Sequence, residues 1–135
     1  MPDAVSTRPL IDKLGVRPGS RVALVGIDDP SFRALLAERT PDVTLGAPNP
    51  GSNLIFLAAD SLAELSRIVA LREAIAPAGA IWVVSRKGRA ATLRDVDVMA
   101  AARSAGLVDN KVVSFSPTHT ALRLVIPVAL RPAPG

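Results

Sequence analysis

The run Pro18-Gly19-Ser20-Arg21-Val22-Ala23-Leu24-Val25-Gly26-Ile27-Asp28-Asp29-Pro30 decides how this 135-residue chain is read. Pro18-Gly19 suits a type II turn, with proline presetting its own φ and glycine taking the positive φ that follows. Arg21 to Gly26 reads as a strand whose Val22 to Val25 are apolar at successive positions, which predicts a central parallel strand covered on both faces. Asp29 is placed to cap a helix whose first position is Pro30, where the missing N–H costs nothing. Turn, buried strand, acidic corner and helix together form one unit of a wound α/β domain. In such domains ligands sit outside the carboxyl ends of the strands, so Gly26, Asp28 and Asp29 are candidate cofactor-binding residues. A dinucleotide loop carries three glycines; this corner has Gly26 alone.

Working outward, Pro9 to Leu14 reads as a short helix ending at Gly15, with Ser6 or Thr7 as its cap. Ser31 to Arg39 predicts a helix presenting Phe32, Leu35 and Leu36 to the sheet. Val43 to Leu45 is a brief edge strand, Ala47 to Ser52 a loop, and Asn53 to Ala59 a third strand. Ser61-Leu62-Ala63-Glu64 has the capping-box pattern, and Leu62, Leu65, Ile68, Val69 and Ile75 predict a helix reaching about Ala76. Ala80 to Ser85 is a strand, followed by the basic loop Arg86-Lys87-Gly88-Arg89. Thr92 and Asp95 predict a second capping box, opening a helix that Gly106 stops in a left-handed conformation. Lys111 to Phe115 and Ala121 to Ile126 read as an antiparallel hairpin. One domain is expected over residues 1–135, with an ordered core of about 7–127, a short flexible N-terminus and a proline-rich tail.

Composition narrows the chemistry. Hydrophobic residues are 49% and charged residues 21% of the chain, as in an ordinary globular domain. With three phenylalanines, one tryptophan and no tyrosine, the core has to be mainly aliphatic. The absence of cysteine excludes disulfides, thiolate metal sites and cysteine nucleophiles. No apolar run approaches the roughly 20 residues of a membrane span, and the N-terminus lacks signal-peptide character, so a cytoplasmic protein without membrane contact is expected. A net charge of +4 is an ordinary solubility margin.

The closing hairpin resembles that of the class I methyltransferase fold, whose last strand inserts antiparallel beside its neighbour. That resemblance implies a three-layer, Rossmann-like, mostly parallel sheet of about six strands in the order 2-1-3-4-6-5. The wording is also similar to a bacterial family, domain of unknown function 3052. The matching residues are Pro9-Leu10-Ile11-Asp12-Lys13-Leu14-Gly15, then Pro18-Gly19 and Val22 to Val25. They continue through Leu54 to Ala59, Pro77-x-Gly79 with Trp82, and Gly106-Leu107-Val108-Asp109-x-Lys111-Val112. The likeness spans Thr7 to Val125 and implies the fold; the family has no established activity to carry over.

Three aspartates, Asp28, Asp29 and Asp60, are expected near the carboxyl ends of adjacent strands, which adds Asp60 to the candidate cofactor-binding residues, although it reads more simply as helix-start chemistry. Arg86, Lys87 and Arg89 are candidate contacts for an anion or a partner. His119, the single histidine, is expected in a hairpin turn far from the crevice, leaving no catalytic group and no metal site. No acid stands at the end of the second strand, where Gly46 lies. The leading expectation is therefore a non-catalytic binding or interaction module with no cofactor. The alternative is an enzyme or sensor binding S-adenosylmethionine, and a further one is a nucleic-acid accessory protein. The partner is undetermined, a protein or a second copy of the chain being the options, with nucleic acid not favoured for want of aromatics beside the basic loop.

Overall fold

The structure, a computed structural model, describes residues 9–131. The expected caps Ser6 and Thr7, the flexible N-terminus and the tail from Pro132 lie outside the described residues. Elements follow in the order α1 (Leu10–Lys13), β1 (Val22–Val25), α2 (Pro30–Ala37), β2 (Val43–Leu45), β3 (Ser52–Ala58), α3 (Leu62–Leu65), α4 (Ile68–Arg72), β4 (Ile75–Arg86), α5 (Asp95–Ser104), β5 (Val108–Ser114) and β6 (His119–Val125). The six strands form one sheet in the order β2-β1-β3-β4-β6-β5. β2, β1, β3 and β4 run parallel, and β6 lies antiparallel between β4 and β5. This is the methyltransferase-type, Rossmann-like arrangement that the closing hairpin implied.

The central strands β1, β3 and β4 bury both faces because a layer of helices covers each side, whereas the edge strands β2 and β5 stay largely exposed. On one face Ile55, Leu57, Ile81 and Val83 pack against Leu65, Ile68 and Leu71 of α3 and α4 and Val98 and Ala102 of α5. On the other, Leu24, Phe56 and Trp82 meet Leu14 of the α1 end and Phe32 and Leu36 of α2. All the aromatic rings of the chain lie in that second layer as one contact series. Phe115 meets Phe32 edge-on at 4.8 Å, Phe32 meets Phe56 at 5.2 Å, and Phe56 stacks on Trp82 at 6.5 Å.

Turn chemistry follows the sequence closely at the start. Ser20 N–H donates to Arg17 O at 3.0 Å and Gly19 has φ of 81°, the type II turn expected of Pro18-Gly19. The Asp29 carboxylate accepts from Phe32 N–H at 3.1 Å and caps α2. Leu35, expected to face the sheet, is 39% exposed; Phe32 and Leu36 carry that contact.

Two expected elements differ. The helix placed over 61–76 is two short ones, α3 and α4. Ser61 does cap α3, its hydroxyl accepting from Glu64 N–H, but the Glu64 carboxylate accepts from Asp60 N–H and not from Ser61 N–H, so the box is half formed. Ser66 N–H is shared between the Leu62 and Ala63 carbonyls and Arg67 N–H bonds the carbonyl three residues back, and the tightened turn re-phases the helix. Leu62 and Val69 consequently face outward while Leu65, Ile68 and Leu71 are buried. Ile75 to Pro77 belong to β4 instead, because Ser52 pairs with Ile75 and Ser52 N–H donates to Ala74 O at 2.8 Å. A register shift between Ser52 and Leu54 absorbs the extra length of β4. The second capping box also moves. α5 begins at Asp95 with Arg94 at the cap position, which leaves Thr92 outside it; the Asp97 carboxylate accepts from Arg94 N–H at 2.8 Å, while the Thr92 hydroxyl donates to the Asp60 carbonyl.

Candidate functional site

β1 delivers the chain to Gly26, whose φ of 78° is a conformation that glycine adopts at little steric cost. A Cβ at Gly26 would stand 3.6 Å from the Ala58 Cβ at the end of β3. β1 and β3 are neighbours, yet the chain leaves β1 for β2 on the other side before returning to β3. Gly26 and Ala58 therefore mark the topological switch point, where open α/β sheets leave a crevice. Asp29 is committed to its helix cap. Asp28 is exposed and makes no hydrogen bond or ion pair among the described residues.

A cleft of about 370 Å³ opens at this corner. Gly26, Asp28 and Asp29 form one side, Ala58 and Val84 the floor, and the β5–β6 turn the opposite side through Phe115, Thr118 and His119. The expectation for His119 is thus corrected. It opens β6 rather than sitting in the turn, and because β6 runs antiparallel to β4 its first residue pairs with Arg86 at the carboxyl end of β4. The ring Nδ1 lies 2.8 Å from Thr118 Oγ1, which orients the imidazole. A sequence signal for this did exist: the antiparallel hairpin itself brings the start of its second strand back to the crevice.

A second cleft, of about 460 Å³, lies on the other side of Gly26. It runs between the Gly46-Ala47-Pro48 loop and Arg67, Ala70 and Ala74 along and just beyond α4. The loop from Gly46 passes directly from β2 to β3 with no intervening helix, which leaves this surface of the sheet end uncovered. Gly26 borders both clefts.

Asp60 does not join the cleft. Its carboxylate accepts from Arg86 N–H at 2.9 Å and lies 3.9 Å from Arg86 Nε, tying the end of β3 to the end of β4. Lys87 Nζ donates to Ser114 Oγ at 2.6 Å, bracing β4 against β5. Arg89 is exposed on the short turn Gly88–Ala90. Arg86 and Lys87 are thus engaged within the fold, and the basic loop is not one concerted surface. Among the described residues no group of His, Asp or Glu side chains is arranged to hold a metal ion.

No family model matches the chain, and no curated protein matches it. Its likeness is to solved structures. One is a SAM-dependent methyltransferase from Aquifex aeolicus, with TM-score 0.66 and 14% identity, covering 87% of each chain. Another is precorrin 8W decarboxylase from Methanobacterium thermoautotrophicum, with TM-score 0.59 and 18% identity over 93% of this chain and 91% of that one. A third is magnesium protoporphyrin IX methyltransferase from Synechocystis with bound SAM, with TM-score 0.58 and 12% identity over 86% of this chain and 74% of that one. At such identities the likeness establishes the methyltransferase-like fold. It also overturns the expectation that put no cofactor first. Neighbours that include one named as SAM-dependent and one with SAM bound share the fold over most of this chain. The glycine count and the missing β2 acid, on which that expectation rested, say nothing of the clefts that the fold builds around Gly26.

Proposed function

We propose that this chain binds S-adenosylmethionine across Gly26, in the two clefts at the carboxyl ends of β1, β2 and β3. The observation that carries the reading is that Gly26, at the switch point, borders both clefts at once. An elongated ligand with a nucleoside at one end and an amino acid at the other suits such a divided site, and the SAM-dependent neighbours lend support. Residues present fit the group in part. The Gly26 corner has no side chain to obstruct a backbone approach, and Asp28 and Asp29 offer negative charge suited to a cationic sulfonium and ammonium. At the end of β2, Gly46 brings no carboxylate for the ribose hydroxyls, and Asp28, assigned to the charged end, does not supply one.

The cofactor, when bound, supplies an electrophilic methyl group. The chain contributes positioning: Asp28 fixes the charged end, Phe115 provides an apolar wall, and His119, oriented by Thr118, offers a ring nitrogen that can hold a proton beside the cleft. The expected non-catalytic module rested in part on a remote His119, and that premise falls with its observed position.

Calorimetry with S-adenosylmethionine and S-adenosylhomocysteine tests the reading. Saturable binding that Asp28→Asn weakens is expected. Ligand at a hundred times its dissociation constant would add about 2.7 kcal/mol to stability, a readily seen rise in melting temperature. Heat and melting curves identical with and without both compounds would end the proposal. The sequence likeness to the domain of unknown function 3052 family is proposed on the same footing, from the Pro9 to Gly15 motif.

A further inference from the structure

The opposite end of the sheet carries a feature that the cofactor reading does not use. A cleft of about 510 Å³ opens at the amino-terminal ends of β1 and β3. Arg17, Gly19 and Ser20 of the type II turn border it, with Asn53 at the start of β3 and Arg123 reaching in from β6.

Its charge is one-sided. Arg123 stands opposite Trp82 on β4 and opposite Lys111 on β5, so the three side chains project from the same face of the sheet. Every hydrogen bond these cations make is to a neutral acceptor. Arg123 Nη1 donates to Asn110 Oδ1 at 3.3 Å, Lys111 Nζ to the Lys13 carbonyl at 2.9 Å, and the adjacent Arg131 Nε to the Ile126 carbonyl at 3.0 Å. Among the described residues no carboxylate forms an ion pair with Arg17, Lys111, Arg123 or Arg131. Burial first, and the charge of Arg131 second, lower the pKa of Arg123 from its ordinary value. A cation held at a desolvation penalty beside another cation, at the edge of a cavity, gains from any anion that enters.

We propose that this cleft is a binding site for a small phosphate-bearing molecule, with Arg123 and Arg17 as its charged contacts. Guanidinium groups match phosphate oxygens in pairs, and the Ser20 hydroxyl and Asn53 amide on the lining suit the remaining polar groups of such a ligand. The volume exceeds what one inorganic phosphate fills, which favours a pyrophosphate or a phosphate ester. No aromatic side chain lines the cleft, so a stacked single strand of nucleic acid is disfavoured. The site lies at the far end of the strands from Gly26 and is independent of the cofactor reading.

Titration of the full chain with pyrophosphate and with ribose 5-phosphate, by calorimetry at constant ionic strength, tests this. Binding of at least one probe is expected, weakened tenfold or more by Arg123→Gln and by Arg17→Gln. Arg89→Gln, which removes the same charge at the other end of the sheet, should bind as the parent does. Circular dichroism establishes that each variant is folded; should Arg123→Gln fail to fold, the exposed Arg17 decides through its own variant. No binding of either probe by the parent overturns the proposal. So does equal weakening by Arg89→Gln, which would indicate only a diffuse charge effect.

Discussion

The indole N–H of Trp82 donates to the backbone carbonyl of Leu14 at 3.1 Å, across 68 residues of sequence and with both groups buried. This bond ties the end of α1 to β4, one of the central strands of the sheet, and satisfies a carbonyl that the short helix leaves without an intrahelical partner. Trp82→Phe keeps a ring in the layer but leaves that carbonyl unpaired and the pocket underfilled. A loss of roughly 1–3 kcal/mol in urea unfolding is expected, and an unchanged midpoint would show that the bond contributes nothing.

Gly79 is where two backbone segments touch. An added Cβ would lie 2.9 Å from the carbonyl oxygens of both Asn53 and Ser52 and 3.1 Å from that of Ala76. Those are main-chain atoms of the irregular β3–β4 pairing and cannot swing aside. Gly79→Ala should destabilise by about 1–3 kcal/mol, as overpacking does. Gly19→Ala meets nothing within 4 Å and is strained only by its φ of 81°, so it should cost about 1–2 kcal/mol. Thermal unfolding of the pair separates steric from conformational demand.

Asp28 and Asp29 are neighbours with different duties. Asp29→Ala removes the α2 cap and should lower stability by about 1 kcal/mol. Asp28→Ala should leave stability within about 0.5 kcal/mol, as expected of an exposed side chain without partners, while weakening S-adenosylmethionine binding. Finding the reverse assignment, with Asp28 the stabilising residue, would remove Asp28 from the site.

Asp60 and His119 exchange the parts that a linear reading gives them. Asp60→Asn keeps a side-chain oxygen to accept from Arg86 N–H, and it lies outside the cleft, so cofactor affinity should change less than twofold. His119→Ala opens one side of the cleft and should alter the affinity or the methyl transfer measured with any acceptor found. If Asp60→Asn is the variant that abolishes binding, the cleft has been assigned to the wrong residues.

Much of the architecture was legible because it rests on local rules. The apolar run Val22 to Val25, the Asp29-Pro30 helix start and the Pro18-Gly19 turn each carry their own short-range signal. With the closing hairpin they pointed to the methyltransferase-type fold, and that resemblance supplied the sheet order. What they left open was decided by contacts between distant residues. Helical periodicity continued past Ser66, but local i→i+3 bonding and the pairing of Ser52 with Ile75 broke the helix and moved Ile75 into a strand. Ser61 and Thr92 carry the same kind of capping signal, yet Ser61 caps α3 while the cap position of α5 falls two residues further on, at Arg94, with the Thr92 hydroxyl bonded to the Asp60 carbonyl just beyond β3.

The same division holds for function. Gly26, Asp28 and Asp29 are adjacent in sequence, so their convergence at a strand end was readable from the chain. His119 reaches them through an antiparallel register spanning β4 and β6, and Arg17, in the turn before β1, comes to line one cleft with Arg123 of β6. Sequence alone therefore determined the apolar cores of the strands, the start of α2 and the acidic corner, since each depends on residues a few positions apart. Only the tertiary structure placed the histidine in the carboxyl-end cleft and the arginines at the opposite end. Those placements depend on which strands lie side by side, a property of the closed sheet and not of any short segment.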